Sequence, residues 1–289
     1  MRLIVTADLH YDIARSMAPT EQLAARVNRH GGDALLIVGD ACGRDPDILR
    51  RCLALFDAFP GRVFYVAGNH DLWTYGGSSL ERYERELADV CREAGAWYLD
   101  ERPYIRDGIA LVGSIGWYDY SFRQDSLGIP LRFYERKVAP GAAARLDEFR
   151  HLVDGHDDVT PSMLAITTRW MDGAYVRLPM TDIEFTKRIH DRLAEHLRHA
   201  AGEAERIVVA MHHLPFEEMV RRSGRPNWDF ANAYMGSRSL GELLLSVPKV
   251  SHVFCGHTHF RHRVRCGHIE CVNVGSTYIA KRCEVLEVG

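Results

Sequence analysis

Five short stretches concentrate groups that bind cations: Asp8-Leu9-His10, Gly39-Asp40, Gly68-Asn69-His70-Asp71, Met211-His212-His213 and Gly256-His257-Thr258-His259. Carboxylate, imidazole and amide oxygen together suit borderline ions such as manganese, iron or zinc. The seven cysteines include no CxxC pair, which argues against a structural zinc site. In Asp8-x-His10 and His257-x-His259 the partners lie two apart, so at an extended strand end both side chains project to one side. Glycines at 39, 68 and 256 relieve steric limits where the chain turns under a ligand. His70 invites a second chemistry, because an imidazole, with a reference pKa of about 6.5, is a natural proton donor near neutral pH.

Such groups act together only if something gathers them, and the sequence before each stretch reads as a strand. RLIVTA (2–7), ALLIVG (34–39), RVFYVAG (62–68), RIVVAM (206–211) and SHVFCG (251–256) are short, apolar and rich in β-branched residues. Helical patterns separate the first of them, at 20–30, 46–59 and 79–95. This alternation predicts βαβ units in a largely parallel sheet. Ligands bind such sheets at the carboxyl ends of the strands. Helix signals are specific: Asp45 caps with Pro46 at the first helical position, while Ser78 with Glu81 and Thr181 with Glu184 form capping boxes. Ile189, Leu193 and Leu197 mark the buried side of the helix after Thr181. A further strand is expected at 108–114, a helix at 239–247, and a β-rich tail turning at Cys266-Gly267-His268.

Between them, residues 116–180 show weak periodicity and read as an inserted, lid-like segment. Gly116-Trp117-Tyr118-Asp119-Tyr120 there is either a substrate wall or packing. Arg123, Arg132, Arg136 and Arg169, with Arg221, Arg222 and Arg225 further on, have the fork geometry that catches phosphate, although a solvated surface is the default. Cys42 follows Asp40 closely and is read as a small buried thiol.

Composition narrows the class. The 289 residues are 46% apolar and 26% charged, as in a folded soluble protein able to bury a substantial core. A net charge of −3 offers no general attraction to nucleic acid or anionic lipid, so a dedicated DNA binder is disfavoured. No stretch reaches 18 uninterrupted apolar residues, and the first strand is too short for a signal-peptide core. The expectation is a cytoplasmic protein with reduced thiols and no membrane segment. Neither GxGxxG nor a P-loop is present, so a nucleotide cofactor bound by those routes is unsupported. The sequence carries no signal for oligomeric state.

DLH, GD, GNHD, a histidine after an apolar strand, and GHTH, in that order, resemble the signature of the calcineurin-like metallophosphoesterases. The resemblance covers about residues 1–115 and 205–289. It implies an α/β fold, a four-layer αββα sandwich forming one domain over 1–289, with the insertion at about 116–180. It further implies two metal ions: Asp8, His10, Asp40 and His259 would hold one, and Asp40, Asn69, His212 and His257 the other, with Asp40 bridging. His213 is the alternative to His212, which is favoured as the first residue after the strand. By the same resemblance His70 faces the scissile phosphate and assists the leaving group, and Asp71 orients or charges its ring.

The implied activity is hydrolysis of a small phosphomonoester or phosphodiester, the diester slightly favoured, by metal-activated hydroxide. Two ions roughly 3.5 to 4 Å apart lower the pKa of a water and offset charge on the phosphoryl oxygens. A nuclease of the same chemistry would need a basic groove and a steep salt dependence. A non-catalytic scaffold would be expected to have lost ligands or His70, and all are present.

Overall fold

The computed structural model describes residues 1–288. Its strands in chain order are β1 (Arg2–Thr6), β2 (Ala34–Val38), β3 (Arg62–Val66), β4 (Trp97–Tyr98), β5 (Tyr104–Arg106) and β6 (Ile109–Ser114). Then follow β7 (Arg206–Met211), β8 (Val250–Cys255), β9 (His262–Cys266), β10 (Ile269–Asn273) and β11 (Cys283–Glu287). The motif-bearing strands are apolar on both sides, which is the signature of a sheet covered on both faces. In β2 every residue is buried. Ala34, Leu36 and Val38 join one apolar cluster, and Leu35 and Ile37 the other. The first cluster unites Leu36 and Phe64 with Val208, Phe254 and Val272, so it lies between two sheets. The second unites Ile4, Leu35 and Ile37 with Leu23, Val27 and Leu49 of covering helices. Truncating Leu36 to alanine between the sheets is expected to cost about 2–5 kcal/mol.

Five strands make the first sheet, in the order β11-β1-β2-β3-β4, and six the second, in the order β5-β6-β7-β8-β10-β9. All pairings among β1 to β4, and among β6, β7, β8 and β10, are parallel. Helix Asp182–Glu203 packs on β6 and β7. The layers are helix, sheet, sheet, helix, as expected. The carboxyl ends of the parallel strands therefore gather at one rim. Among the described residues no helix is long and apolar enough to cross a membrane.

Local departures from the sequence reading have local causes. The first helix spans Ala14–His30 and carries Pro19 within it, rather than starting at 20. Ser16 and Thr20 both donate to Leu9 O (3.0 Å each), so the helix start is tied to the loop holding Asp8 and His10. The helix from Pro46 stops at Ala54 and not at 59, while Asp45 caps it as expected, accepting from Asp47 N (3.0 Å). Thr181 and Glu184 form the full capping box; Ser78 accepts from Glu81 N, its half of the second box.

The insertion holds only short helical turns, yet it is packed into the body of the protein. Trp117, Tyr118, Tyr120, Phe122, Phe133 and Tyr134 are buried. Trp117 Nε1 donates to Asp182 Oδ1 (2.9 Å) and the Tyr120 hydroxyl to Oδ2 of the same carboxylate. Of the two readings of the 116–120 run, packing is the one observed.

Candidate metal centre

All seven residues read as ligands converge at the carboxyl rim. Asp8 and His10 follow β1, Asp40 follows β2, Asn69 follows β3, His212 follows β7, and His257 and His259 follow β8. Close sets of metal-ligating atoms, within 4.8 Å of one another, are formed by Asp8, His10 and His259, by His10, Asp40 and His70, and by Asp40, His212 and His257. Asp40 connects them. Its Oδ2 lies 3.5 Å from His10 Nε2 and its Oδ1 lies 3.4 Å from His212 Nε2.

The chain bends sharply to achieve this. Asp8, His10, Asp40, His257 and His259 take φ of 55, 43, 53, 72 and 55°. Left-handed backbone is costly for residues with a Cβ and persists where the surroundings impose it. The sequence pattern assigns this turning to the glycines, whereas most of it falls on the candidate ligands themselves. Gly68 serves close approach instead: a Cβ there would strike Asp40 Oδ1. Gly39 does both, with φ 78° and His212 where its Cβ would stand.

Outer hydrogen bonds decide which atoms face inward. His212 Nδ1 donates to Val38 O (3.0 Å), which leaves Nε2 bare toward Asp40 and Asn69 Oδ1 (3.3 Å). His257 Nε2 donates to Tyr234 O (3.2 Å), which leaves Nδ1 bare, 3.0 Å from Asn69 Oδ1. Asn69 Nδ2 donates to Asp172 Oδ1 (2.9 Å), turning its oxygen to the centre. Partners of this kind fix tautomer and orientation in metal sites. Four lone-pair groups then point at one place, and only a proton or a cation reconciles them. On the other side, His10 Nε2 faces His259 Nε2 at 3.3 Å, and Asp8 Oδ2 is buried without a partner. The residues present fit two cations.

Electrostatics agree. Burial alone would raise Asp40, but the imidazoles of His212, His70 and His10 outweigh it and hold the carboxyl well below its usual range. Burial likewise lowers His212, and the Asp40 charge more than reverses this, carrying the ring up to about 9. Desolvation drives His10 and His257 well below ordinary histidines and pushes Asp8 up. His213, buried and beside His212, is pulled down to about 3; its Nδ1 donates to Ile115 O (3.0 Å), and it belongs to none of the close ligand sets. Of the two adjacent histidines, His212 is the one the fold brings to Asp40.

His70 stands at the edge of the centre, its ring stacked on Trp73 (3.8 Å between centroids) and edge-on to His10 (4.7 Å). Its Nδ1 has no hydrogen-bond partner. Asp71, read as the residue that orients this ring, is occupied elsewhere. Its carboxylate accepts from the amides of Asp40 (2.8 Å), Ala41 (3.1 Å), Cys42 (2.8 Å) and Gly68 (2.7 Å), and from Cys42 Sγ (3.2 Å). A buried carboxylate among so many donors holds the two loops in place, and no hydrogen bond joins it to His70. Cys42 is the buried thiol expected.

Three residues of the site escape a reading of the sequence. Asp172, from the insertion, is buried and accepts from Asn69, from Trp73 Nε1 (2.7 Å), from the Tyr118 hydroxyl (2.9 Å) and from Trp170 Nε1 (2.8 Å). Lys281 donates to Asp8 O (2.6 Å), and burial brings its ammonium down to about 8. Tyr278 lies against His10 and His259, 4.9 Å from each. Of the seven arginines singled out, Arg169 and Arg221 line the adjoining cavity, while Arg132 pairs with Asp158 and Arg222 with Glu217.

Against known proteins, a family model described as calcineurin-like phosphoesterase matches residues 1–261. A search of curated proteins finds no match. Among solved structures the chain is similar to a phosphopantetheinyl hydrolase from Mycobacterium tuberculosis, with 18% identity, 96% of this chain and 89% of that chain covered, and a TM-score of 0.65. It is similar to a Thermus thermophilus protein, TT1561 (13% identity, 95% and 89% covered, TM-score 0.54). A dimetal phosphatase from Danio rerio also matches (14% identity, 96% and 87% covered, TM-score 0.52). At these identities the likeness shows the fold.

Proposed function

The chain belongs to the calcineurin-like phosphoesterases, and we propose that it hydrolyses a small phosphomonoester or phosphodiester at a two-metal centre. The observation that carries this reading is the placement of Asp40, whose two carboxylate oxygens face separate imidazole groups, His10 on one side and His212 on the other. Asp8, His10, Asp40 and His259 would hold one ion, and Asp40, Asn69, His212 and His257 the other, with manganese, iron or zinc suited to the donors. Bound there, the ions would supply an activated water and Lewis-acid neutralisation of phosphoryl charge.

The protein's own groups do the rest. Asn69, held by Asp172, presents a neutral oxygen and so limits the negative charge of the site. His70, positioned by Trp73 and with Nδ1 unpartnered, carries a proton to the departing ester oxygen. Asp71 acts at one remove, by holding the loops of Asp40 and Asn69. Seven free cysteines, six of them buried, suit a reducing compartment, and the cytoplasm is the location we propose. A polynucleotide substrate gains little support from a net charge of −3.

The test is metal analysis of the purified chain together with hydrolysis of nitrophenyl mono- and diesters before and after chelation. A phosphopantetheinyl ester and single-stranded DNA complete the panel. Two ions per chain and chelator-sensitive turnover of small esters are expected. A metal-loaded protein that turns over none of them would overturn the reading.

A further inference from the structure

A cavity of about 400 Å³ adjoins the metal centre, large enough for a small-molecule ligand. Asp40, Asn69, His70, His257 and His259 form one side of it. The other sides are chiefly aromatic or apolar, from Trp73, Trp170, Met171, Trp228, Phe260 and Tyr278, with Arg169, Arg221, Asn232 and Thr258 among them. Three of these are large apolar side chains left substantially in water: Met171 is 41% exposed, Trp228 49% and Phe260 42%. They are brought together from the insertion, from the helix at Pro226–Ala231 and from the loop after His259. Separate segments presenting wetted apolar groups to one cavity mark a binding surface rather than chance exposure.

Two of the aromatic walls, Trp170 and Trp73, are fixed in advance. Trp170 stacks on Tyr234 (5.1 Å, 9° between planes) and its indole N–H is held by Asp172. The same carboxylate holds Trp73, which supports His70. The Arg221 guanidinium lies over the Phe260 ring at 4.8 Å, adding another flat group at the rim. A ligand that meets these two walls pays little to order them. Aromatic faces reward a flat ring beyond its buried area.

We infer that the substrate is a phosphoric ester whose organic arm carries a flat aromatic group, seated against Trp170, Trp228 and Phe260 while the phosphate lies at the metal centre. This rests on the phosphoesterase reading and adds the substrate class to it. A simple aryl group and a nucleobase share the required chemistry.

Two matched pairs separate them: 1-naphthyl against phenyl phosphate, whose leaving oxygens are alike, and adenosine 5′-monophosphate against ribose 5-phosphate, which release the same kind of alcohol. Each pair is assayed also as methyl diesters. The ester with the larger ring is expected to have the higher kcat/KM by about tenfold in at least one pair, the scale of burying an aromatic side. Preference only in the first pair identifies an aryl arm, and preference in the second a nucleobase. In Trp228→Ala and Phe260→Ala the ratio falls toward one, whereas a merely structural loss would slow both members alike. Ratios near one in both pairs, or ratios unchanged in both variants, overturn the inference while leaving hydrolysis itself standing.

Binding of 1-naphthylmethylphosphonate against methylphosphonate, followed by calorimetry on the metal-loaded protein, needs no turnover. Tighter binding of the naphthyl compound that is lost in Trp228→Ala supports the pocket even if every ester resists hydrolysis, in which case only the catalytic reading falls. Equal binding of the two phosphonates counts against the pocket.

Discussion

At the amino ends of the strands a cleft of about 970 Å³ opens, against about 400 Å³ for the cavity at the carboxyl ends. The larger cleft is lined by exposed groups of both signs, among them Asp57, Arg62, Arg106 and Asp107, and none of the close metal-ligating sets lies there. One non-glycine residue in it, Asp107, has positive φ, but it sits in the Asp107-Gly108 turn between β5 and β6, a hairpin turn that demands that conformation. At the carboxyl rim five of the candidate ligands themselves are left-handed, outside any such hairpin, and Asp8 Oδ2 is buried without a partner. Left-handed backbone costs roughly 1–2 kcal/mol at each such residue. The two ends of the same strands teach that cleft volume is a poor guide to chemistry, and that concentrated strain with unmet polar demand is a good one.

The sharpest way to break that contrast is to remove the group on which the carboxyl rim is centred. Asp40→Asn keeps the shape but loses the charge that faces both imidazole groups. Turnover is expected to fall by about 10³-fold or more, given that metal-supplied charge stabilisation is worth several kcal/mol. Metal analysis should show fewer than two ions per chain. A variant that keeps both ions and wild-type kcat would remove Asp40 from the centre of the scheme.

A second comparison concerns burial at this rim without any metal. Asp100 accepts from Ala67 N (2.9 Å), the Tyr83 hydroxyl (3.0 Å) and Ile115 N, tying the segments after β3 and β6. Burial carries its carboxyl up to about 6 in spite of those donors. The native chain thus keeps a proton that the unfolded chain releases near pH 4. The stabilisation is complete below about pH 4 and is lost as pH rises through about 6, a change on the order of 3 kcal/mol. Asp100→Asn cannot ionise, so it should gain on the wild-type chain by up to that amount across the window. Denaturant unfolding of both proteins at several pH values measures this, and a difference independent of pH would contradict it.

Much of the gathering at the rim was legible because groups able to bind metal are of few residue types, and each stands directly after an apolar strand. Asp8, Asp40 and His257 announce themselves by local sequence. Asp172 does not, because Trp170-Met171-Asp172-Gly173 resembles any turn, and its four donors arrive from residues 69, 73, 118 and 170 only after folding. Asp71 misled in the opposite sense. Adjacency to His70 suggested a pair, but the short helical turn His70–Leu72 sends its carboxylate back to the amides of Asp40, Ala41 and Cys42. Fold was readable from strand and helix periods, whereas the insertion was not, since its aromatic residues pack without a regular repeat.

The Asp172 network offers the next smaller effect. In Asp172→Asn one of the two oxygens becomes an amide that faces donors, so either Asn69 or the Trp170 and Tyr118 pair loses its acceptor. Outer partners of metal ligands are typically worth about 10- to 100-fold in affinity or activity, and a loss in that range is expected. Competition with a chelator of known strength measures it, alongside a thermal melt to verify folding. Affinity within about twofold of wild type in the folded variant would reduce Asp172 to packing.

At the amino cleft the expected effect is smallest. Asp57→Asn with Arg62→Gln alters two exposed groups of opposite sign, so net charge is conserved and no long-range field changes. Between them and the metal centre lies the apolar layer of Leu36, Phe64, Val66, Leu111 and Val208, which offers no polar path for coupling. Metal content and kcat/KM should stay within about twofold of wild type, as for surface changes away from special features. A tenfold loss in this double variant would mean that the larger cleft communicates with the smaller through the packed sheets, and strain at one rim would then no longer suffice to say where the chemistry is.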